Sequence, residues 1–225
     1  MRGAIFDLDG TIADTAADLL AAANAALGPA GLPLLSLETD RGPAGRGGRS
    51  MIRASLARAG RDPDTPESEA VFQALYPQLL RAYEEAIAVH TRPFDGLDAC
   101  LDALEADGWR LGVCTNKPER LARILLAELR LDTRFAAILG ADTLPVRKPD
   151  PEHFRETARR IGATPERSVM LGDTATDRET ARAAGVPCVL MAHGFAAEPL
   201  IELAPEAVAA GFHEIPALLA QLSPV

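Results

Sequence analysis

Two aspartates one residue apart, Asp7 and Asp9, end a short apolar run and are followed at once by Gly10 and Thr11. Carboxylates that close repel each other and lose hydration, so positive charge normally accompanies them. Three other apolar runs end in groups that suit the same purpose. Thr115, Asn116 and Lys117 follow "RLGVC", Lys148 stands in "RKPDP" beyond "FAAILG", and Asp173 and Asp177 stand in "GDTATD" after "SVML". Asp7, Asp9 and Asp173 form an oxygen-rich set for Mg²⁺, a hard cation that takes few carboxylates and keeps several waters. Thr115 can donate to one phosphate oxygen, Lys148 can neutralise another, and main-chain N–H groups around Gly10 and Thr11 add donors. Phosphoryl transfer depends mainly on positioning and charge neutralisation, and these groups supply both.

Such residues can meet only if strands deliver them to one edge. Short apolar runs ("GAIF", "RLGVCT", "FAAILG", "SVMLGD", "PCVLM") alternate with longer amphipathic stretches ("LDACLDALEADG", "PERLARILLAELR", "PEHFRETARRIG", "DRETARAAG"). That alternation predicts an α/β fold, a doubly wound (Rossmann-like) parallel sheet whose ligands bind beyond the carboxyl ends of the strands. Residues 14–89 break the pattern, reading as helices and loops with no convincing strand. An inserted all-helical cap domain over 14–89 is therefore expected, with 1–13 and 90–225 forming the α/β core. The tail beyond residue 199 reads as a short strand and a closing helix.

Composition narrows the function classes. The 225 residues are 48% hydrophobic, enough for one large domain or a domain with an insertion. A net charge of -9 with no basic block argues against a nucleic-acid surface. No run of about 18 apolar residues occurs, so no membrane span is expected. The first residues, interrupted by Asp7, do not read as a secretory signal. Cys100, Cys114 and Cys188 are odd in number and widely spaced, which fits buried thiols in a reducing cytoplasm.

With its four motifs in order, the chain resembles the haloacid dehalogenase-like hydrolase superfamily, and within it the phosphoglycolate phosphatase-like branch with a helical cap. "DLDGT" is similar to the first family motif, "VCTNK" to the second, "RKPDP" to the third and "GDTATD" to the fourth. The resemblance spans the whole chain, and it implies a Mg²⁺-dependent phosphatase acting on a small phosphorylated metabolite as a monomer or homodimer. It implies that Asp7 is the nucleophile and forms an aspartyl-phosphate, and that Asp9 is general acid and then base. It further implies that Asp7, Asp173 and the backbone carbonyl of Asp9 hold the metal, with Asp177 supporting from behind. Thr115, Asn116 and Lys148 would hold the phosphate. Asp9 separates this chemistry from dehalogenation, since dehalogenating relatives lack an aspartate there.

Taken singly, each motif has a plainer reading: an Asp-Gly turn, a solvated loop lysine, a helix N-cap. Their joint placement at strand ends is what carries the functional reading. The glycine-rich stretch 40–50 reads as a loop, either flexible or facing substrate through Arg46 or Arg49. The four histidines have no metal-ligand spacing. The helical insert is expected to act as a lid, hinged near residues 12–15 and 90–95. Alternative activities are a phosphosugar mutase of the β-phosphoglucomutase kind or a pyrophosphatase of the same superfamily. A non-enzymatic phosphoacceptor module would not need Asp9.

Overall fold

The computed structural model describes residues 1–195 and 199–222. The chain opens with β1 (Gly3–Phe6) and β2 (Ala13–Asp14). Four helices follow: α1 (Ala16–Leu27), α2 (Arg41–Gly45), α3 (Gly47–Arg58) and α4 (Pro66–Glu85). The chain returns through β3 (Arg92–Pro93). From there helices and strands alternate: α5 (Leu97–Ala106), β4 (Arg110–Cys114), α6 (Glu119–Glu128), β5 (Ala137–Leu139), α7 (Pro151–Arg160), β6 (Ser168–Gly172), α8 (Ala175–Ala184) and β7 (Cys188–Met191). A last strand, β8 (Ala207–Ala209), and α9 (Ile215–Leu222) complete the described chain.

Six strands form one parallel sheet in the order β5-β4-β1-β6-β7-β8. Counted along the chain, that order is third, second, first, fourth, fifth, sixth. Successive crossovers therefore run outward from β1 to one side and then from β6 to the other. The connections leaving β1 and β6 run to opposite sides, the arrangement in which a ligand crevice is expected at their carboxyl ends. All four residues of β1 are buried, as expected of a strand covered on both faces. Ile5, Cys114, Phe154, Ile161, Met170 and Leu190 fill one face of the sheet beneath α7 and α8.

Local chemistry fixes the helices that flank this crevice. α7 begins where Asp150 accepts a hydrogen bond from the Glu152 N–H (2.9 Å) and Pro151 occupies the first turn. α8 begins with a capping box between Thr174 and Asp177 and ends at Gly185, whose φ of 74° needs the left-handed region glycine tolerates.

The chain divides into two compact units, Met1–Asp14 with the chain from Arg92 onward, and Thr15–Thr91. The two crossings between them pair as a small antiparallel ribbon, Ala13 opposite Pro93 and Asp14 opposite Arg92. In the helical unit, α4 buries Phe72, Leu75, Leu79 and Tyr83, a stripe at three- and four-residue spacing that lies against the alanine-rich α1. The stretch read as a loop over residues 40–50 is mostly helical instead, as α2 and the start of α3. Glycine disfavours helix by about 1 kcal/mol per residue. Here tertiary contacts override that preference, because Ala44, Met51 and Ile52 are buried and Asp40 is tied to Arg58 by two hydrogen bonds of 2.6 and 3.1 Å.

Candidate active site

The loop after β1 is the first part of the site. The Asp7 N–H continues the sheet ladder to the Leu171 carbonyl at 2.8 Å, which aims its side chain out of the strand end. One carboxylate oxygen, Oδ1, accepts from the Leu8 N–H at 2.7 Å. The Leu8 carbonyl then accepts from Thr11, Ile12 and Ala13, while the Gly10 N–H bonds the Ala13 carbonyl at 2.9 Å. The amides of Gly10 and Thr11, expected as phosphate donors, are thus satisfied within this tight turn and shape it. Gly10 is demanded twice: its φ is 79°, and a Cβ there would press on the Asp173 carboxylate.

The second part is a buried group of charges. Lys148 Nζ lies 2.6 Å from Asp177 Oδ1 and 3.0 Å from Asp7 Oδ2. The other Asp177 oxygen accepts from the N–H groups of Asp173 (3.2 Å) and Thr174 (3.1 Å) and from the Thr174 hydroxyl (2.8 Å). Asp173 accepts from the Thr11 hydroxyl at 2.8 Å and the Phe195 N–H at 2.7 Å. Each of Asp7, Asp173 and Asp177 offers an oxygen within 4.8 Å of the others. Three carboxylates against one ammonium leave two negative charges uncompensated in a buried place.

The titration of these groups reflects their burial first and that excess second. Burial pushes the Asp7 carboxyl up to about 6; Lys148 opposes this, and Asp177 and Asp9 add to it. Asp173 is raised well above the ordinary carboxylate range, first by burial and then by Asp177 and Asp7. Burial alone would lower Lys148, yet Asp177 and Asp7 hold it above the usual lysine range, so it stays charged. A divalent cation among the three carboxylates would balance the excess, and an all-oxygen donor set suits Mg²⁺. The residues present therefore fit that metal.

The third part comes from β4. Thr115 is buried, its N–H bonded to the Leu139 carbonyl at 3.0 Å, and Asn116 donates to the Lys148 carbonyl at 3.0 Å, joining two motif loops. Lys117 reaches Asp9 with Nζ 2.7 and 3.0 Å from its two carboxylate oxygens. Asp9 is thus set apart from the group of three carboxylates, which includes Asp177 in its place. Lys117 was visible in "VCTNK" at the strand end, but nothing in the sequence signalled its pairing with a residue 108 positions away.

Other candidates have partners of their own. Arg49 belongs to the helical unit, where it pairs with Glu69 at 2.6 Å and stacks over Phe72 at 3.8 Å. Arg46 lies 3.5 Å from the Ser50 hydroxyl. His153 is buried between the Cys114 sulfur (3.6 Å) and the Gly140 carbonyl (3.0 Å) and is pushed down to about 4 by burial and Lys148, so it is neutral. Cys114 is pushed up to about 12 by burial, which leaves it an inert thiol despite its histidine neighbour. All three cysteines are free and buried. Among the described residues no helix is long and apolar enough to cross a membrane.

Residues 4–191 match the haloacid dehalogenase-like hydrolase family. The chain belongs to that family. It is 39% identical to a phosphoglycolate phosphatase of Agrobacterium fabrum, over 97% of this chain and 93% of that one. A phosphoglycolate phosphatase of Caulobacter vibrioides is 37% identical, over 94% of this chain and 87% of its own. A crystal structure from Haemophilus somnus, described as a predicted phosphoglycolate phosphatase, superposes with a TM-score of 0.84 at 27% identity, covering 96% of each chain.

Proposed function

We propose that this hydrolase is a Mg²⁺-dependent phosphatase that cleaves a small phosphomonoester through a phosphorylated Asp7, with 2-phosphoglycolate the first substrate to test. The observation that carries the reading is the excess negative charge of Asp7, Asp173 and Asp177 beside a charged Lys148 at the carboxyl ends of β1 and β6. The names of the relatives support the same class of substrate.

In this reading Asp7 attacks phosphorus and the bond to the leaving oxygen breaks, while Asp9 gives its proton to that oxygen. The freed alcohol leaves. Asp9, now ionised, takes a proton from water as the water oxygen attacks phosphorus, and the Asp7–phosphorus bond breaks to release inorganic phosphate. Thr115, Asn116 and Lys148 hold the phosphoryl oxygens, and Lys148 neutralises charge without needing to change protonation. Asp7, Asp173 and the Asp9 carbonyl would hold Mg²⁺, with Asp177, engaged by Lys148 and by the first turn of α8, fixing the others in place. When bound, the metal screens the incoming phosphate from the carboxylates.

Initial rates on phosphomonoesters, diphosphates and hexose phosphates, with and without Mg²⁺, test the proposal. Phosphoglycolate hydrolysis that needs Mg²⁺ and leaves phosphate on Asp7 in quenched protein is the expected result. Preference for a diphosphate, or isomerisation of a hexose phosphate, would replace it with the pyrophosphatase or mutase reading.

A further inference from the structure

Asp7 and Asp9 each have a lysine of their own. Lys148 takes Asp7 together with Asp177, whereas Lys117 spans both oxygens of Asp9. The Lys117 side chain is 3% exposed and the Asp9 side chain 16%, so the pair is largely shielded from water. Burying a lysine carries a desolvation penalty of several kcal/mol that an ion pair repays only in good geometry. A position that needed only packing would be served better by an apolar side chain.

The backbone of Lys117 is fixed from both sides. Its N–H donates to the Thr115 hydroxyl at 3.2 Å, and its carbonyl accepts from the Ala141 N–H at 3.0 Å. Pro118 follows and restricts the next turn. Gly140, beyond β5, has no room for a Cβ against the Lys117 carbonyl and the Glu119 backbone, so the two loops lie in direct contact. The ammonium is therefore delivered from a rigid support. In the sheet order, β4 and β6 flank β1 on opposite sides. Lys117 follows β4, and Asp173 follows β6. The lysine thus meets the Asp9 carboxylate from the loop after β4, whereas Asp173 and Asp177 stand beyond β6.

We propose that Lys117 is a positioning residue: it fixes the Asp9 carboxyl apart from Asp7, Asp173 and Asp177, so that Asp9, once protonated, keeps one oxygen on the ammonium and gives its proton from the other to the leaving oxygen. The inference rests on the phosphatase reading above and adds a residue to it. Lys117 acts through Asp9 and is not a ligand of the phosphate.

The test compares first-turnover release from an alkyl phosphate and an aryl phosphate in the full-length protein. An alkoxide leaves poorly without a proton and a phenolate leaves well, so only the alkyl ester depends strongly on Asp9. Lys117→Met is expected to slow the alkyl ester by roughly 10- to 100-fold, the scale of a small misplacement of a catalytic group. The aryl ester should slow by several-fold at most, KM for either should change little, and Lys117→Arg should restore much of the loss. In an Asp9→Asn background the same Lys117→Met change should cost less than about twofold, since the partner it positions is gone. Equal losses on both esters, full additivity with Asp9→Asn, or a raised KM with kcat intact would each overturn the inference. Where Lys117→Met does not fold, Lys117→Gln carries the same comparison. Phosphate found on Asp7 of the wild-type protein keeps the phosphatase reading alive whatever Lys117 does; its absence removes both.

Discussion

The two units of this chain place their charges in opposite ways. In the α/β unit, Asp7, Asp173 and Asp177 crowd together out of water with Lys148 as their one shared cation. In the helical unit three acidic groups are each matched by an arginine: Asp40 by Arg58, Asp64 by Arg53 and Glu69 by Arg49, with each of these guanidinium groups more than a third exposed. The first arrangement destabilises the fold unless something binds, while the second holds helices at little cost. Charge imbalance of this kind marks a place where folding energy is held against a ligand.

The strongest way to break the contrast is to remove the site's carboxylates one at a time. Asp7→Asn should abolish turnover and covalent labelling by phosphate, read by mass spectrometry of quenched protein. Asp9→Asn should leave Mg²⁺ binding largely intact and slow an alkyl phosphate by roughly 10²- to 10⁴-fold, the range for losing a general acid or base. Labelling that survives Asp7→Asn would show that the two roles are misassigned.

Asp173→Asn should weaken Mg²⁺ binding at least about tenfold by calorimetry, as an amide lacks the charge a hard cation favours. It should also raise the melting temperature of the metal-free protein at neutral pH. The sign follows from linkage. A carboxyl whose folded pKa is raised binds more protons folded than unfolded, so its contribution falls as pH rises from the unfolded value toward the folded one. For Asp7 that window runs from 3.8 to about 6, and Asp173 is displaced in the same direction. Metal-free wild-type protein should therefore lose stability across this window. Mg²⁺, which needs ionised ligands, should restore more at about pH 7.5 than at about pH 5. An equal thermal shift at both pH values would count against these carboxylates as the metal site.

Much of this arrangement was legible in the sequence because the sheet is parallel. Each strand ends where its chemistry begins, so "DLDG", "VCTN" and "GDTATD" could be placed on one edge from order alone. The five strands read from apolar runs all appear, shorter at one or both ends except for "GAIF". Pairing was not legible, since it depends on side-chain direction across neighbouring strands: Lys117 on Asp9 and Lys148 on Asp177 are contacts of this kind. The helices over residues 41–58 were hidden for another reason. Glycine lowers the local signal, and the burial of Ala44, Met51 and Ile52 that sustains them is tertiary.

In the helical unit, Arg58→Ala tests the matched arrangement. Asp40 is buried, and Arg58 with the Ser36 N–H and Thr39 hydroxyl draws its pKa below the ordinary value against the effect of burial. A lowered carboxyl stabilises above its unfolded pKa and loses that contribution as pH falls through the folded one, opposite in sign to Asp7. Removing the arginine should cost about 1–3 kcal/mol near neutral pH, the penalty for a buried group stripped of a partner. Denaturant unfolding should show this loss shrinking as Asp40 becomes protonated below about pH 4. A loss that does not shrink would assign the effect to packing of the arginine stem.

The smallest expected effect belongs to Arg49. Its guanidinium is half-exposed, already bonded to Glu69 at 2.6 and 3.2 Å, and stacked over Phe72 at 3.8 Å. Exposed ion pairs contribute about 0–1 kcal/mol, and an exposed cation–π contact about as much again. Arg49→Ala should therefore lower stability by no more than about 1–2 kcal/mol. If Arg49 also serves an anionic substrate, it must give up Glu69 to do so, which weakens its contribution to binding. Arg46, whose side-chain hydroxyl contact is long at 3.5 Å, gives up less. If either arginine meets the substrate, KM for phosphoglycolate should rise more in Arg46→Ala than in Arg49→Ala, by a few-fold, while KM for a neutral aryl phosphate moves in neither. Glu69→Gln sharpens the comparison: releasing Arg49 from its partner should lower KM for the anionic substrate if the arginine can reach it. An unchanged KM in all three variants would confine Arg49 to holding α3 and α4 together and Arg46 to its contact with Ser50.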